Sequence, residues 1–233
     1  MLKFQFKHFS IKQDSSAMKV GTDGVLLGAW STTKENTILD IGTGTGLIAI
    51  MLAQRSGNVI IDAVELEREA YKEATENIAN CNWSDKITSH NCAIQDYPTE
   101  KKYDSIVSNP PFFIDSTKAP KYDRNSARHT DELSFRDLID SVIKLLKPDG
   151  IFSLILPIVE AEQFIDLAKQ KQLLLNRKCI VKPNPTKPAK RVLMEFSFYS
   201  DTVIKEELII ETDTRHQYTK EYISLTKDFY LKF

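Results

Sequence analysis

The sequence is poor in cysteine, has no long apolar run and carries almost no net charge, and each shortage narrows what the chain can be. Its three cysteines, Cys81, Cys92 and Cys179, are odd in number and far apart, with no CxxC pair or clustered histidine beside them. A disulfide framework is excluded and structural zinc disfavoured, so a reducing compartment and no metal are expected. No stretch approaches the roughly 20 apolar residues of a membrane span. The opening MLKFQFKHFSIKQD alternates apolar and polar residues, where a signal peptide has an unbroken apolar centre. We therefore expect a cytoplasmic protein. Repeats, low-complexity tracts and interdomain linkers are also missing.

A net charge of −1 gives no global field to attract a polyanion. Acids are locally scarce, however. None occurs between Asp166 and Glu195, while Lys169, Lys171, Arg177, Lys178, Lys182, Lys187, Lys190 and Arg191 supply eight positive charges there. Near the N-terminus Lys3, Lys7, Lys12 and Lys19 stand against Asp14 alone. Such runs make either basic patches for nucleic acid or solvated faces, and charge counting does not decide between them.

What is present suits one α/β domain covering residues 1–233. The chain is 42% apolar and 27% charged, enough to bury a core without cross-links. From Asn36 onward, strand-like runs at 37–41, 59–66, 86–92, 103–109, 150–157, 174–183 and 191–199 alternate with helical patterns. Helical spacing recurs in GLIAIMLAQRS, REAYKEATENIANC, LSFRDLIDSVIKLL and VEAEQFIDLAKQK. Ser134 is placed to cap the third of these, and Pro148 with Gly150 to close it. The alternation predicts a mostly parallel sheet covered by helices. Residues 115–132 are polar without period and read as a long loop.

Asp40-Ile41-Gly42-Thr43-Gly44-Thr45-Gly46 follows one strand and opens a helix, the context in which backbone approaches a nucleotide-like ligand. Glu65 ends the next strand, where a carboxylate can accept from both hydroxyls of a ribose. The glycine spacing is G-x-G-x-G rather than G-x-G-x-x-G. Asp40 would repel a pyrophosphate but favour the ammonium of a methionine moiety. Both features point to S-adenosylmethionine rather than a dinucleotide. Asp96, after the third strand, is a candidate acceptor for the cofactor's adenine amine, with Ala93 and Ile94 near the ring; a plain surface aspartate is the alternative.

Ser108-Asn109-Pro110-Pro111-Phe112-Phe113 ends the fourth strand, at the carboxyl edge where ligands of open α/β sheets bind. The prolines fix the backbone and remove its donors. An exocyclic amine on adenine is a weak nucleophile because its lone pair is delocalised into the ring. Acceptors that hold both N–H groups favour the pyramidal nitrogen, and the Asn109 side-chain oxygen and Pro110 carbonyl are such acceptors. Phe112 can stack on the base. The catalytic candidates are therefore Asn109, Pro110, Pro111 and Phe112.

These residues resemble the amino-methyltransferase branch of the Rossmann-like methyltransferases. More narrowly, the chain resembles the bacterial tRNA1(Val) adenine-37 N6-methyltransferase family. The likeness rests on KVGTDGVLLG (19–28), LDIGTGTG, SNPPFF, Arg128-His129 in SARHTDELSF, and the final DFYLKF. It implies a seven-stranded sheet with helices on both faces. It also implies S-adenosyl-L-methionine held by Gly42, Gly44, Gly46, Glu65 and the Asn109 segment, with Lys19, Gly21 and Thr22 helping to close the site. The implied product is N6-methyladenosine beside the anticodon of valine tRNA, with the N-terminal hairpin, at about 1–20, near the RNA; separately, a monomer is expected. Enzymes that methylate a release-factor glutamine or ribosomal guanine share Asn-Pro-Pro-aromatic. They match less well, because only about 36 residues precede the first core strand, too few for a further domain. A non-catalytic RNA-binding module is the remote alternative.

Arg128 and His129, with Arg124, are candidates for phosphate or the target nucleotide. Lys187, Lys190 and Arg191, in proline-stiffened PNPTKPAKRV, are candidates for the RNA backbone. Phe4, Phe6 and Phe9 suit base stacking or, more commonly, packing on the sheet. Trp30 and Trp83 read as packing residues, and Phe229, Tyr230 and Leu231 as a dock for the C-terminus.

Overall fold

Residues 2–14, 19–34, 36–110 and 133–232 are described by a computed structural model of the chain. The alternating N-terminal residues form a small antiparallel hairpin of β1 (Lys3–Gln5) and β2 (Ser10–Lys12). Then follow α1 (Thr22–Trp30), β3 (Asn36–Ile41), α2 (Leu47–Arg55), β4 (Val59–Glu65), α3 (Arg68–Ala79) and β5 (Ile87–Asn91). The second half comprises β6 (Tyr103–Ser108), α4 (Phe135–Leu145), β7 (Leu146–Pro157), α5 (Ile158–Gln170), β8 (Leu174–Lys182), β9 (Arg191–Ser197), β10 (Ile204–Ile209) and α6 (Lys220–Thr226). Each of the seven strand-like runs becomes a strand; β6 is buried at every position and so uses apolar residues on both faces, while β5 and β8 are only partly covered. Ser134 caps α4, its hydroxyl oxygen accepting from the Asp137 N–H at 3.1 Å.

The main sheet runs β10-β8-β9-β7-β6-β3-β4-β5. It holds one strand more than the seven expected. The addition is β10, an edge strand in which only Leu208 is buried, so its sequence IKEELI carries no apolar run. Glu206 fastens it, accepting from Trp30 Nε1 at 3.0 Å and from Arg177 Nε at 3.0 Å and Nη2 at 3.1 Å. The Arg177 guanidinium in turn covers the Trp30 ring at 4.1 Å. Strand β9 runs antiparallel between β7 and β8, while the other described pairings in this sheet are parallel. The chain winds from β3 towards β5 on one side and from β6 towards β7 on the other. The β3/β6 boundary is therefore the switch point at which open sheets bind ligands.

Helices cover both faces. The hairpin, α1, α2 and α6 enclose one core with Phe6, Phe9 and Phe229, and α4 and α5 enclose the other with Phe152, Phe164 and Phe196. Phe6 is 0% and Phe9 5% exposed, so the N-terminal aromatics pack rather than await a base. Phe229 is buried and its carbonyl accepts from the Lys7 N–H at 2.8 Å, whereas Leu231 stays 56% exposed. Helix α1 lies very close to α2: a Cβ at Gly24 would stand 3.1 Å from Leu47 Cδ2, and one at Gly28 2.8 Å from Met51 Sδ. A side chain at either position would oblige Leu47 or Met51 to shift.

Two buried polar residues of α3 fasten the hairpin. Asn77 Oδ1 accepts from the Lys12 N–H at 2.8 Å, and its Nδ2 donates to the Lys12 and Thr45 carbonyls, both at 2.9 Å. Glu73 Oε1 accepts from the Asp14 N–H at 2.6 Å. Beneath β5, Asp62 accepts from Lys101 Nζ at 2.7 Å and Tyr103 Oη at 2.8 Å, and lies 2.8 Å from His90 Nε2. Burial raises the Asp62 pKa, but these partners outweigh it and hold the carboxyl below its usual range.

Candidate active site

The register of two strands assembles the site. Ile41 of β3 is the lateral partner of Ser108 of β6, and the Ser108 hydroxyl donates to the Ile41 carbonyl at 2.9 Å. The glycine loop that follows Ile41 and the Asn109-Pro110 step that follows Ser108 therefore leave the sheet side by side. The loop folds back on the end of β4: the N–H groups of Gly42 and Thr43 both donate to the Val64 carbonyl, at 2.9 and 3.1 Å. Gly42 and Gly44 have φ of +70° and +56°, a region costly for residues with a Cβ. A Cβ at either would meet nothing within 4 Å, because both face open space. Gly46, at the start of α2, shares the left-handed backbone with φ +82°, and a Cβ there would stand at an ordinary 3.5 Å from the Ala74 carbonyl of α3, so conformation rather than space calls for glycine.

Two acids brace the loop. Glu65 Oε2 accepts from the Gly44 N–H at 2.8 Å and Oε1 from the Glu67 N–H at 2.9 Å. An ionised carboxylate offers about four acceptor positions, so roughly two remain for a ligand such as a diol. Asp40 lies behind the loop, fully buried, with Oδ2 accepting from the Thr43 hydroxyl at 2.6 Å. Burial pushes its pKa up to about 7; the Thr43 bond and the nearby Ala49 N–H oppose this, and the Glu65 charge adds to it. Its other oxygen, Oδ1, has no partner of good hydrogen-bond geometry among the described residues. A cation near the loop would restore the ionised form.

Opposite the glycine loop, residues Lys19 to Gly24 form a second wall, and Asn109 and Arg191 complete a cleft of about 590 Å³. The Lys19 ammonium donates to the Gln13 carbonyl, and Gln13 Oε1 accepts from the Val20 N–H at 2.6 Å. Arg191 Nε reaches Asp23 Oδ2 at 2.7 Å. The residues present fit the cofactor inferred from the sequence. A Cβ-sized gap opens over two glycines, a carboxylate has spare acceptors, and a buried acid is poised to ionise beside a cation.

Of the sequence candidates, Lys19, Gly21, Thr22, Gly42, Gly44, Glu65 and Asn109 line this one cleft. Asp40 and Gly46 support it from behind. Pro110 is buried at the end of β6. Asp96 stands in a separate depression with Tyr97, Pro98 and Lys144, just beyond the Glu65–Asn91 pairing of β4 and β5. Pro111, Phe112, Phe113, Arg124, Arg128 and His129 lie outside the described residues, as does the 115–132 segment. Lys187 and Lys190 are exposed before β9, whereas Arg191 turns into the cleft wall.

Half of the eight-charge run finds acids elsewhere in the fold: Lys171 with Asp140, Arg177 with Glu206, Lys182 with Glu207, and Arg191 with Asp23. Sequence reasoning missed Asn77, Glu73 and Asp23 as site supports. The signal for the first two was present, because polar residues occupy core positions of an otherwise regular amphipathic helix. Among the described residues no cluster of His, Cys, Asp or Glu is arranged to hold a metal, and no helix is long and apolar enough to cross a membrane.

The fold is that of the Rossmann-like methyltransferases. A predicted O-methyltransferase from Agrobacterium tumefaciens superposes with a TM-score of 0.70 at 17% identity, over 89% of this chain and 96% of that one. A glycopeptide N-methyltransferase solved with sinefungin gives 0.59 at 14% identity, over 77% and 88%. The model of the methyltransferase small domain matches residues 16–156. The tRNA1(Val) (adenine(37)-N6)-methyltransferase of Flavobacterium psychrophilum is 48% identical, over 98% of this chain and 99% of its own. That of Pseudoalteromonas translucida is 45% identical over all of both. The chain belongs to the methyltransferase small domain family and, within it, to the tRNA1(Val) (adenine(37)-N6)-methyltransferases.

Proposed function

We propose that the protein methylates the N6 amine of adenine 37 in valine tRNA, using S-adenosyl-L-methionine. The observation that carries this reading is the pairing of Ile41 with Ser108, which sets the glycine loop beside Asn109 in one cleft. Relatives of near-equal length that are named for this reaction support it.

Gly42 and Gly44 would admit the cofactor to the backbone, and Glu65 would accept from the ribose hydroxyls with its remaining lone pairs. Asp40, behind the loop, would favour the methionine ammonium in its ionised form. Lys19, Gly21 and Thr22 would close the far wall, whereas Asp96, in a depression apart from the cleft, fits the alternative of a surface aspartate better than an acceptor for the adenine amine. When bound, the cofactor supplies an electrophilic methyl group. The Asn109 side-chain oxygen and the Pro110 carbonyl each accept one N–H of the target amine. They would turn its lone pair out of conjugation and stabilise the positive charge that develops on nitrogen as the N–C bond forms and the donor's S–CH3 bond breaks, the surplus proton passing to solvent water. Phe112 stacks on the base, and Arg128 and His129 contact the target nucleotide or its phosphate. Lys187 and Lys190 hold the RNA backbone. We place the reaction in the cytoplasm and the active form as a monomer.

The test incubates the purified chain with labelled S-adenosylmethionine and unmodified bulk tRNA, then digests the RNA. N6-methyladenosine mapped to position 37 of valine tRNA is expected. Transfer only to ribosomal RNA, or only to a release-factor glutamine, would overturn the tRNA assignment.

A further inference from the structure

Arg191 stands where two surfaces meet. It opens β9 directly after Lys187 and Lys190, and its register partner is Pro157 of β7, so the sheet fixes its backbone. Its side chain turns into the cleft wall, where Nε donates to Asp23 Oδ2 at 2.7 Å and Nη1 to the Lys190 carbonyl at 3.1 Å. The side chains of Arg191 and Asp23 are only 31% and 23% exposed, so solvent screens the pair weakly. The two residues are 168 positions apart.

Asp23 lies in the first turn of α1, and the wall residues Lys19, Gly21 and Thr22 run directly into that turn. The N-cap of α1 is Gly21, which makes no side-chain cap bond. A glycine cap offers no side-chain oxygen, so the first N–H groups of the helix are left to other partners. Here the turn is tied from outside, to a strand in the middle of the sheet.

We propose that Arg191 is a positioning residue for the cofactor. Acting through Asp23, it holds the Lys19–Thr22 wall in the conformation that binds, and it does not serve chiefly to hold an RNA phosphate. The proposal rests on the reading of the cleft as the cofactor site. It gives Arg191 a different task from its neighbours Lys187 and Lys190, which a count of local charge groups with it. It also makes Asp23 part of the site although its carboxylate is directed to an arginine and not to a ligand.

The test titrates S-adenosylhomocysteine, without RNA, into the full chain and into Arg191→Gln, Asp23→Asn, the double variant and Arg191→Lys. Each single variant should bind about tenfold more weakly, within the usual span of coupling between sites. The double variant should be no weaker than the singles, because the pair acts as a unit. Arg191→Lys should recover part of the loss. In the methyl-transfer assay the KM for S-adenosylmethionine should rise about tenfold while kcat stays within about twofold, the mark of lost ground-state binding. Lys187→Ala/Lys190→Ala should weaken tRNA binding and leave S-adenosylhomocysteine binding unchanged. Unaltered S-adenosylhomocysteine binding in Arg191→Gln, or additive losses in the double variant, would overturn the inference and leave the cofactor site intact. Failure of the unsubstituted chain to bind S-adenosylhomocysteine would overturn the cofactor reading and this inference with it.

Discussion

Replacing Glu65 by glutamine tests the cofactor site most directly, because the change removes a charge and one acceptor while keeping the shape. In the native site the two carboxylate oxygens accept separately, from Gly44 N–H at 2.8 Å and from Glu67 N–H at 2.9 Å. An amide has one oxygen, so either orientation turns an NH2 group towards one of these donors. One charge-assisted bond is lost, a cost of about 1.5–3 kcal/mol. For a chain of this length that corresponds to a fall in Tm of about 3–12 °C. A ribose diol would lose one acceptor in the same way, and about 1.5–3 kcal/mol is roughly a 10- to 100-fold loss of affinity. The assay is calorimetric titration with S-adenosylhomocysteine well below the variant's Tm, paired with a thermal melt. A lower Tm with unchanged affinity would refute the reasoning and reduce Glu65 to a brace for the glycine loop.

Three further outcomes are expected. Asn109→Ala should lower kcat for methyl transfer by about 100-fold, the cost of one missing transition-state partner; an unchanged kcat would remove Asn109 from catalysis. Lys187→Ala/Lys190→Ala should weaken tRNA binding and flatten its salt dependence by about 0.7–0.9 in logarithmic slope for each phosphate no longer neutralised, read by titration at several salt concentrations. An unchanged slope would move the RNA surface elsewhere. Asp40 has a folded pKa raised to about 7 by burial, so its contribution to stability is fully present below its unfolded pKa of 3.8 and is lost as pH rises through about 7. Without cofactor, the Tm of the native chain should therefore fall between pH 5 and pH 8 by several degrees more than that of Asp40→Asn; parallel curves would contradict this.

How far the sequence could be read depended on whether a signal was local. The seven apolar runs and Ser134 are local, and all became the elements they suggested. Helix α1 was not read as a helix because every residue from Gly24 to Trp30 is buried. A helix enclosed on all sides shows no amphipathic stripe. Strand β10 was missed for the opposite reason, since pairing at an edge asks for little apolar surface. The glycine loop, Glu65 and Asn109 were legible because turn chemistry and strand ends are encoded within a few residues. Asp40 was placed beside the ligand by its spacing, yet the loop stands between it and the cleft, which only the path of the backbone reveals. The partnership of Arg191 with Asp23, and the neutralisation of half the basic run, depend on strands distant in sequence and left no local trace.

The close approach of α1 and α2 bears on how the cleft can be altered. The glycine cradle leads into α2, and the facing wall leads into α1. Gly24 and Gly28 of α1 sit against Leu47 and Met51 of α2 with little room to spare. The span between the two walls is thus a dimension set in the core rather than by the side chains that line the cleft. Remodelling the chain to accept a bulkier alkyl donor should begin at Gly24 and Leu47, where α1 and α2 meet directly behind the cleft walls.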